Sequence, residues 1–200
     1  MRGINDTVRA NRNAWPLRNA GSPPNQLLPS LTKGSPTIAD PFLLARILAL
    51  LLVANGVPIL ATRLLANRLA WPLDGGLTFF DGRRLFGAAK TMRGIVASTL
   101  AAGLAASLLG LGWRLGAILA ALALTGDLFA SFCKRRLGLA VHARAFGLDQ
   151  IPESLLPLLV LQAQLNLGTA DIVLLTAAFV LLEMLLSVLL YRLRIRDRPY

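Results

Sequence analysis

The run Gly126-Asp127-Leu128-Phe129-Ala130-Ser131-Phe132-Cys133-Lys134-Arg135-Arg136 brings a carboxylate, a hydroxyl and an ammonium to helical spacing. Asp127, Ser131 and Lys134 stand at i, i+4 and i+7, on one face of a helix. Such a face suits a metal-bound phosphate, with the carboxylate on Mg²⁺ and the hydroxyl and ammonium on phosphate oxygens. It equally suits a buried ion pair beside a basic cluster at a membrane edge. Asp127 lies within an apolar segment or at its inner edge. A lone carboxylate there costs about 2.5–3.5 kcal/mol on insertion scales. Lysine occurs only as Lys33, Lys90 and Lys134 in a chain whose other basic residues are arginine. A retained lysine hints that a compact ammonium is wanted at that point.

Two further stretches could join this face. The first holds Asp74-Gly75-Gly76, Asp81-Gly82-Arg83-Arg84 and Gly87-Ala88-Ala89-Lys90-Thr91-Met92-Arg93-Gly94. Asp-Gly pairs make tight turns, glycines let backbone amides approach an anion, and Lys90 and Arg93 add charge at a helix start. An ordinary basic loop would look the same, and the run is not a Walker A sequence, so no P-loop fold is implied. The second stretch is Leu148-Asp149-Gln150-Ile151-Pro152-Glu153-Ser154. Asp149 and Glu153 could cap a following helix or face Asp127 and share its metal. His142 reads as a solvated side chain, and without a second His or Cys nearby zinc is not expected. Cys133 reads as a small packing residue, Glu183 as an intramembrane carboxylate bonded to a neighbouring helix or used in function, and Asn55 as either broken-helix chemistry or a ligand contact.

The elements that must position these groups are apolar. Of the 200 residues, 55% are hydrophobic, more than a soluble domain of this length needs. The long apolar runs make lipid the solvent. The sequence implies an all-α integral membrane protein with about five transmembrane helices over 41–69, 93–111, 115–132, 154–167 and 172–191, forming one domain over 41–200. Residues 1–40, rich in Asn, Pro, Gly and Ser, read as a disordered tail. The apolar stretch begins too late for a signal peptide. Asn55-Gly56-Val57-Pro58 should kink or break the first helix. Gly, Ala and Ser in the second permit close packing.

Lys and Arg outnumber Asp and Glu by 21 to 10. With such apolar runs this excess fits bilayer topology, and nucleic acid is not expected as a partner. An odd number of crossings puts both long loops on one side. Those loops and the C-terminal tail carry Arg83, Arg84, Lys90, Arg93, Lys134, Arg135, Arg136, Arg144, Arg192, Arg194, Arg196 and Arg198, against Arg114 alone in the short connections. The positive-inside rule then places the loops and the C-terminus in the cytoplasm and the N-terminus outside. The basic residues of the N-terminal tail pull the other way and are outvoted. The lone Cys133 excludes an intramolecular disulfide and agrees with that setting.

Over about residues 46–195 the chain resembles the CTP-dependent lipid cytidylyltransferases, above all the CDP-archaeol synthase family. The resemblance rests on Ala54-Asn55-Gly56-Val57-Pro58, Leu73-Asp74-Gly75-Gly76, Asp81 through Gly87, Lys90-Thr91-x-Arg93-Gly94, Gly126-Asp127-Leu128 through Gly138, and Leu148-Asp149-Gln150, in that order. The broader phosphatidate cytidylyltransferases share the Gly-Asp-Leu…Ser…Lys-Arg-Arg core, but their Lys-Asp pair and Pro-Gly-His-Gly-Gly stretch are missing here. Pro152-Glu153 stands where the archaeol enzymes carry an Asp after Leu-Asp-Gln, so Glu153 is the candidate to replace it one position later.

The resemblance implies that CTP and a lipid phosphate give a CDP-lipid and pyrophosphate, with Mg²⁺ as cofactor and the bilayer as surroundings. It assigns metal binding to Asp127 and Asp149, with Glu153 as a candidate, and phosphate binding to Lys134, Arg135, Arg136, Lys90 and Arg93. Ser131 and Asn55 would contact nucleotide or phosphate, and Asp81 and Arg83 would order the loop or touch nucleotide. The catalytic group would be Asp127, Lys134 and Asp149, facing the cytoplasm from the cell membrane. No residue separates ether from ester lipid. The Arg and Ala bias suggests a GC-rich genome, and in a bacterium phosphatidate would be the natural substrate. Two other readings remain: a membrane protein that binds nucleotide or anionic lipid without catalysis, and a small transporter with a proton path through Asp127 and Glu183. A CDP-alcohol phosphotransferase is disfavoured, because its Asp-Gly-x-x-Ala-Arg run is absent.

Overall fold

The computed structural model describes residues 39–66, 68–139 and 147–192. His142, Arg144, Arg194, Arg196, Arg198 and the tail up to residue 38 lie outside the described residues. The described residues form five helices: α1 (Pro41–Leu65), α2 (Met92–Leu108), α3 (Trp113–Arg136), α4 (Gln150–Leu161) and α5 (Thr169–Arg192). Each helix packs on the next in the chain, and α1 also packs on α3 and α5.

The contacts fix the directions. Ser98 meets Ala54, and Gly94 meets Pro58, so α1 and α2 run antiparallel. Gly116 lies against Ala102 and Ala106, so α2 and α3 are antiparallel as well. A Cβ on Gly116 would come within 2.3 Å of the Ala102 carbonyl oxygen, and one on Gly103 within 2.6 Å of Trp113. Small residues are therefore what let these two helices approach. Asp171 ties the start of α5 to the start of α1: its buried carboxylate accepts from Gly168 N at 2.9 Å and Ala39 N at 3.1 Å. The core runs through Ile47, Leu50 and Leu51 of α1, Leu119 and Ala123 of α3, Leu158 of α4, and Leu175 and Phe179 of α5.

The expected break at Asn55–Pro58 is absent, and α1 continues through Pro58. A helical proline cannot donate to the carbonyl four residues back. Here that orphaned carbonyl is Ala54 O, and Ser98 Oγ of α2 donates to it at 2.6 Å in a fully buried setting. Gly94 supplies the room, since even a Cβ there would meet Pro58 Cβ at 3.3 Å. The break is repaired from the next helix.

Two other boundaries differ from expectation. α3 runs on to Arg136 instead of ending near 132. Its last turn carries Lys134, Arg135 and Arg136, whose charge favours a helix C-terminus. α4 starts at Gln150, not 154, and stops at Leu161. Pro152 falls in its first turn, where no backbone donor is needed. Among the described residues three helices, α1, α3 and α5, are long and apolar enough to cross a membrane. α2 has 17 residues and α4 has 12. A helix of α4's length rises only about 18 Å at about 1.5 Å per residue, against a hydrocarbon core of about 30 Å.

If Ser98 repairs the Pro58 gap, Ser98→Ala should destabilise the protein in detergent by about 1–3 kcal/mol, the cost of a buried carbonyl left unpaired. In a Pro58→Ala background, where residue 58 donates to Ala54 O itself, most of that cost should vanish. A double-mutant cycle read by denaturant unfolding checks this, and an unchanged Ser98→Ala cost would contradict it.

Candidate active site

Loop one, residues 71–91, is an ordered structure built around one carboxylate. Its ends are tied by Leu73 N to Lys90 O at 2.8 Å and Met92 N to Trp71 O at 3.1 Å. Inside it, residues 77–85 fold into a small hairpin through Phe79 N to Arg83 O at 2.8 Å and Leu85 N to Leu77 O at 3.1 Å. Asp74 sits at the centre, buried. Its oxygens accept from Gly76 N at 3.1 Å, Arg84 Nη2 at 2.6 Å, Phe86 N at 3.3 Å and Gly87 N at 3.0 Å. Burial, the largest influence, pushes the Asp74 carboxyl up. The bonds from Gly76, Gly87, Arg84 and Phe86 together outweigh it and hold the group below its ordinary value. Asp74 read in the sequence only as a turn residue. The available signal was a second glycine after Asp-Gly, with a basic pair and Gly87 further on.

The loop is pinned to the end of α3. Arg83 Nη1 donates to Arg135 O at 3.1 Å and Arg136 O at 3.2 Å, the last two carbonyls of α3. Arg136 answers in reverse, with Nη2 donating to Arg84 O at 2.9 Å and Arg83 O at 3.3 Å and Nε lying 3.3 Å from Asp81. Its guanidinium carbon lies 4.7 Å from the Phe79 ring centre and 4.9 Å from that of Phe132. Asp81 also accepts from Arg83 N at 3.0 Å. Asp81, Arg83 and Arg136 therefore order the loop.

Arg93 is likewise engaged structurally. Its Nη1 donates to Ala66 O at 2.6 Å and Arg68 O at 2.7 Å, closing the end of α1. Arg93 and Arg136, expected from the sequence to bind phosphate, are both engaged with backbone carbonyls. Arg93 is held by carbonyls just past the end of α1, and Arg136 by carbonyls of loop one.

What the pinned loop delivers is Lys90. Its Nζ lies 2.6 Å and 2.5 Å from the two oxygens of Asp127. Two turns further along α3, Lys134 Nζ lies 2.7 Å from Asp149 at the start of α4. Asp149 precedes that helix but makes no side-chain cap, so the capping alternative is not what its carboxylate does. α4 approaches this closely because of Gly126: a Cβ there would lie 2.2 Å from Pro152 O and 2.8 Å from Glu153 Cα. Glu153 is buried, and its Oε1 has no hydrogen-bond partner among the described residues. Glu183, Asp127, Lys90 and Asp149 are the charged groups that act on it. Ser131 and Arg135 are buried on α3.

The sequence-expected residues thus divide. Lys90, Asp127, Lys134, Asp149 and Glu153 form one charged group where loop one, the second half of α3 and the start of α4 meet. Asn55 makes none of these ion pairs: its Nδ2 donates to Leu51 O at 3.0 Å, and it lines a cleft with Gly56, Phe179, Ser187 and Glu183, the carboxylate that also acts on Glu153.

The donor types suit Mg²⁺, which takes carboxylate oxygens. The unpartnered, buried Glu153 Oε1 fits such an ion too. Yet among the described residues no three His, Cys, Asp or Glu side chains converge closely enough to hold a metal. Asp127 instead carries the Lys90 ammonium on both oxygens, and Asp149 carries that of Lys134 on Oδ1.

Comparison with known proteins adds the following. A family model described as CarS-like, CDP-archaeol synthase, matches residues 43–115 and 111–200. The protein named CDP-archaeol synthase from Pyrobaculum calidifontis is 42% identical over 159 residues, covering 74% of this chain and 91% of its own length. That of Sulfurisphaera tokodaii is 35% identical over 135 residues, covering 64% and 81%. That of Pyrococcus furiosus is 32% identical over 139 residues, covering 64% and 83%. A solved structure described as "Structural insight into an intramembrane enzyme for archaeal membrane lipids biosynthesis" is 32% identical with a TM-score of 0.57, over 69% of this chain and 90% of that one.

Asp74 should govern the acid end of loop stability. A carboxyl held below its unfolded value contributes fully above that value, near 3.8, and loses its contribution as pH falls through the lower folded value. Asp74→Asn should lower stability at neutral pH by about 1.5–3 kcal/mol, the worth of hydrogen bonds to a charged group. It should also remove the part of the acid-induced loss that belongs to this carboxyl. Unfolding of both proteins from pH 7 to 3 checks it, and parallel curves would contradict it.

Proposed function

The chain belongs to the CDP-archaeol synthase family, and from that premise we propose that it is an intramembrane enzyme joining the cytidylyl group of CTP to an archaetidic-type lipid phosphate. A lipid phosphate oxygen attacks the α-phosphorus of CTP in line. The new P–O bond replaces the bond from the α-phosphorus to the bridging oxygen, and pyrophosphate leaves. The observation that carries this reading is the docking of loop one, which brings Lys90 onto Asp127 beside the Lys134–Asp149 pair. The comparisons favour the ether lipid over the phosphatidate suggested by composition, because the relatives named above are archaeal. Neither the binding protein without catalysis nor the transporter gains support from them.

In this reading Asp127 and Asp149 hold Mg²⁺, with Glu153 as the additional carboxylate. Bound there, Mg²⁺ neutralises charge on the phosphate oxygens and on the departing pyrophosphate. Lys90 and Lys134 hold the triphosphate, and Ser131 and Arg135 support it from α3. Such a transfer depends on positioning and charge neutralisation more than on covalent chemistry by the protein. Arg83, Arg93, Arg136, Asp74 and Asp81 keep the lysine-bearing loop in place.

α1, α3 and α5 cross the bilayer, with the shorter α2 and α4 running back between them. The basic end carrying Lys90, Asp127 and Asp149 faces the cytoplasm, where CTP is, and α5 ends on that side. The N-terminus is then outside. The enzyme sits in the cell membrane, so the lipid phosphate reaches the site from the adjoining leaflet.

Purified protein should convert labelled CTP and an archaeal ether lipid phosphate to CDP-lipid only with Mg²⁺ present. Asp127→Asn should lower turnover by about a hundredfold or more, the loss seen when one electrostatic support of a transition state is removed. Full activity in that variant would overturn the assignment.

A further inference from the structure

We propose that Lys90 and Lys134 are exchangeable counter-ions: each closes a metal-binding carboxylate until CTP arrives and then moves its ammonium to the triphosphate, so that metal and nucleotide enter the site together. The inference rests on the reading of Asp127 and Asp149 as metal ligands.

The geometry is specific. Lys90 Nζ occupies both oxygens of Asp127, and Lys134 Nζ lies 2.7 Å from Asp149. A metal ion reaching Asp127 must displace the Lys90 ammonium from its two oxygens, and at Asp149 it meets the Lys134 ammonium at Oδ1. Metal alone would leave two displaced ammoniums beside a dication, with nothing to take their charge. A triphosphate takes both. Neither pair is sealed: the side chains of Lys90 and Asp127 are 28% and 22% exposed, those of Lys134 and Asp149 13% and 21%. Each ammonium can therefore turn on its flexible four-carbon stem without unpacking a core.

The arginines nearby differ in kind. Arg83 and Arg93 each aim Nη1 at a pair of backbone carbonyls, and Arg136 adds two aromatic faces. Those engagements have no reason to break when an anion arrives. The two lysines are the cations whose partners are themselves candidate ligands.

The test separates metal from nucleotide. Binding of Mn²⁺ alone is read by the free-ion electron paramagnetic resonance signal, and binding of CTP alone by equilibrium dialysis in chelator. Lys90→Met should bind Mn²⁺ about tenfold or more tighter than wild type and CTP about tenfold weaker, within the usual size of coupling between sites. Lys134→Met should behave the same way and serves if the first variant does not fold. A merely structural pair would weaken both ligands together, and that result would overturn the exchange. So would tight binding of Mn²⁺ by wild type that neither variant improves. If wild type turns over CTP while the lysine variants leave Mn²⁺ binding unchanged, the exchange is wrong and the transferase reading stands. If Asp127→Asn leaves Mn²⁺ binding untouched, the metal assignment itself fails.

Discussion

A carboxylate carried on an apolar helix has to be neutralised by something, and in this protein the neutralising group comes from a loop. Asp127 belongs to α3, whereas Lys90 belongs to the segment between α1 and α2. The ion pair can form only if that segment is held rigidly, because ordering a long, polar loop costs conformational entropy at every residue. The fold meets this with Asp74, whose buried carboxylate gathers three backbone amides and Arg84. It adds the reciprocal bonds of Arg83 and Arg136 across the end of α3. The charged site is therefore a product of loop docking, and the helices alone would not make it.

Arginine and lysine divide this work by their chemistry. A guanidinium is a planar fork that can serve two carbonyls at once and stack on rings, which suits a permanent tie. An ammonium is a compact, mobile charge, which suits a group that must pass from a carboxylate to a phosphate. Arg83, Arg93 and Arg136 hold backbone, while Lys90 and Lys134 hold Asp127 and Asp149. The scarcity of lysine in the sequence had drawn notice to both positions together with Lys33, which lies outside the described residues.

Much of the helical framework could be read from apolar runs, because length and hydropathy are local properties. What could not be read depended on distant partners. The continuity of α1 through Pro58 rests on Ser98, 44 residues away. The early start of α4 rests on Pro152 falling where a helix needs no donor, and on Gly126 leaving room for it. The helical spacing of Asp127 and Lys134 pointed to the part of α3 where Lys90 and Asp149 meet them. The carbonyl contacts of Arg93 and Arg136 were not legible, because cations near a helix end look alike in sequence whether they await a phosphate or close a carbonyl. Asp149 and Glu153 were legible as acids near Asp127, but the lysine that closes Asp149 was not assigned to it.

The most direct measurement is a structure of the protein with a non-hydrolysable CTP analogue and Mn²⁺, the ion located by its anomalous signal. The account predicts the ion between the carboxylates of Asp127 and Asp149, and the triphosphate against Lys90 and Lys134. A triphosphate bound away from Asp127, for instance in the cleft between α1 and α5 beside Asn55 and Glu183, would contradict it.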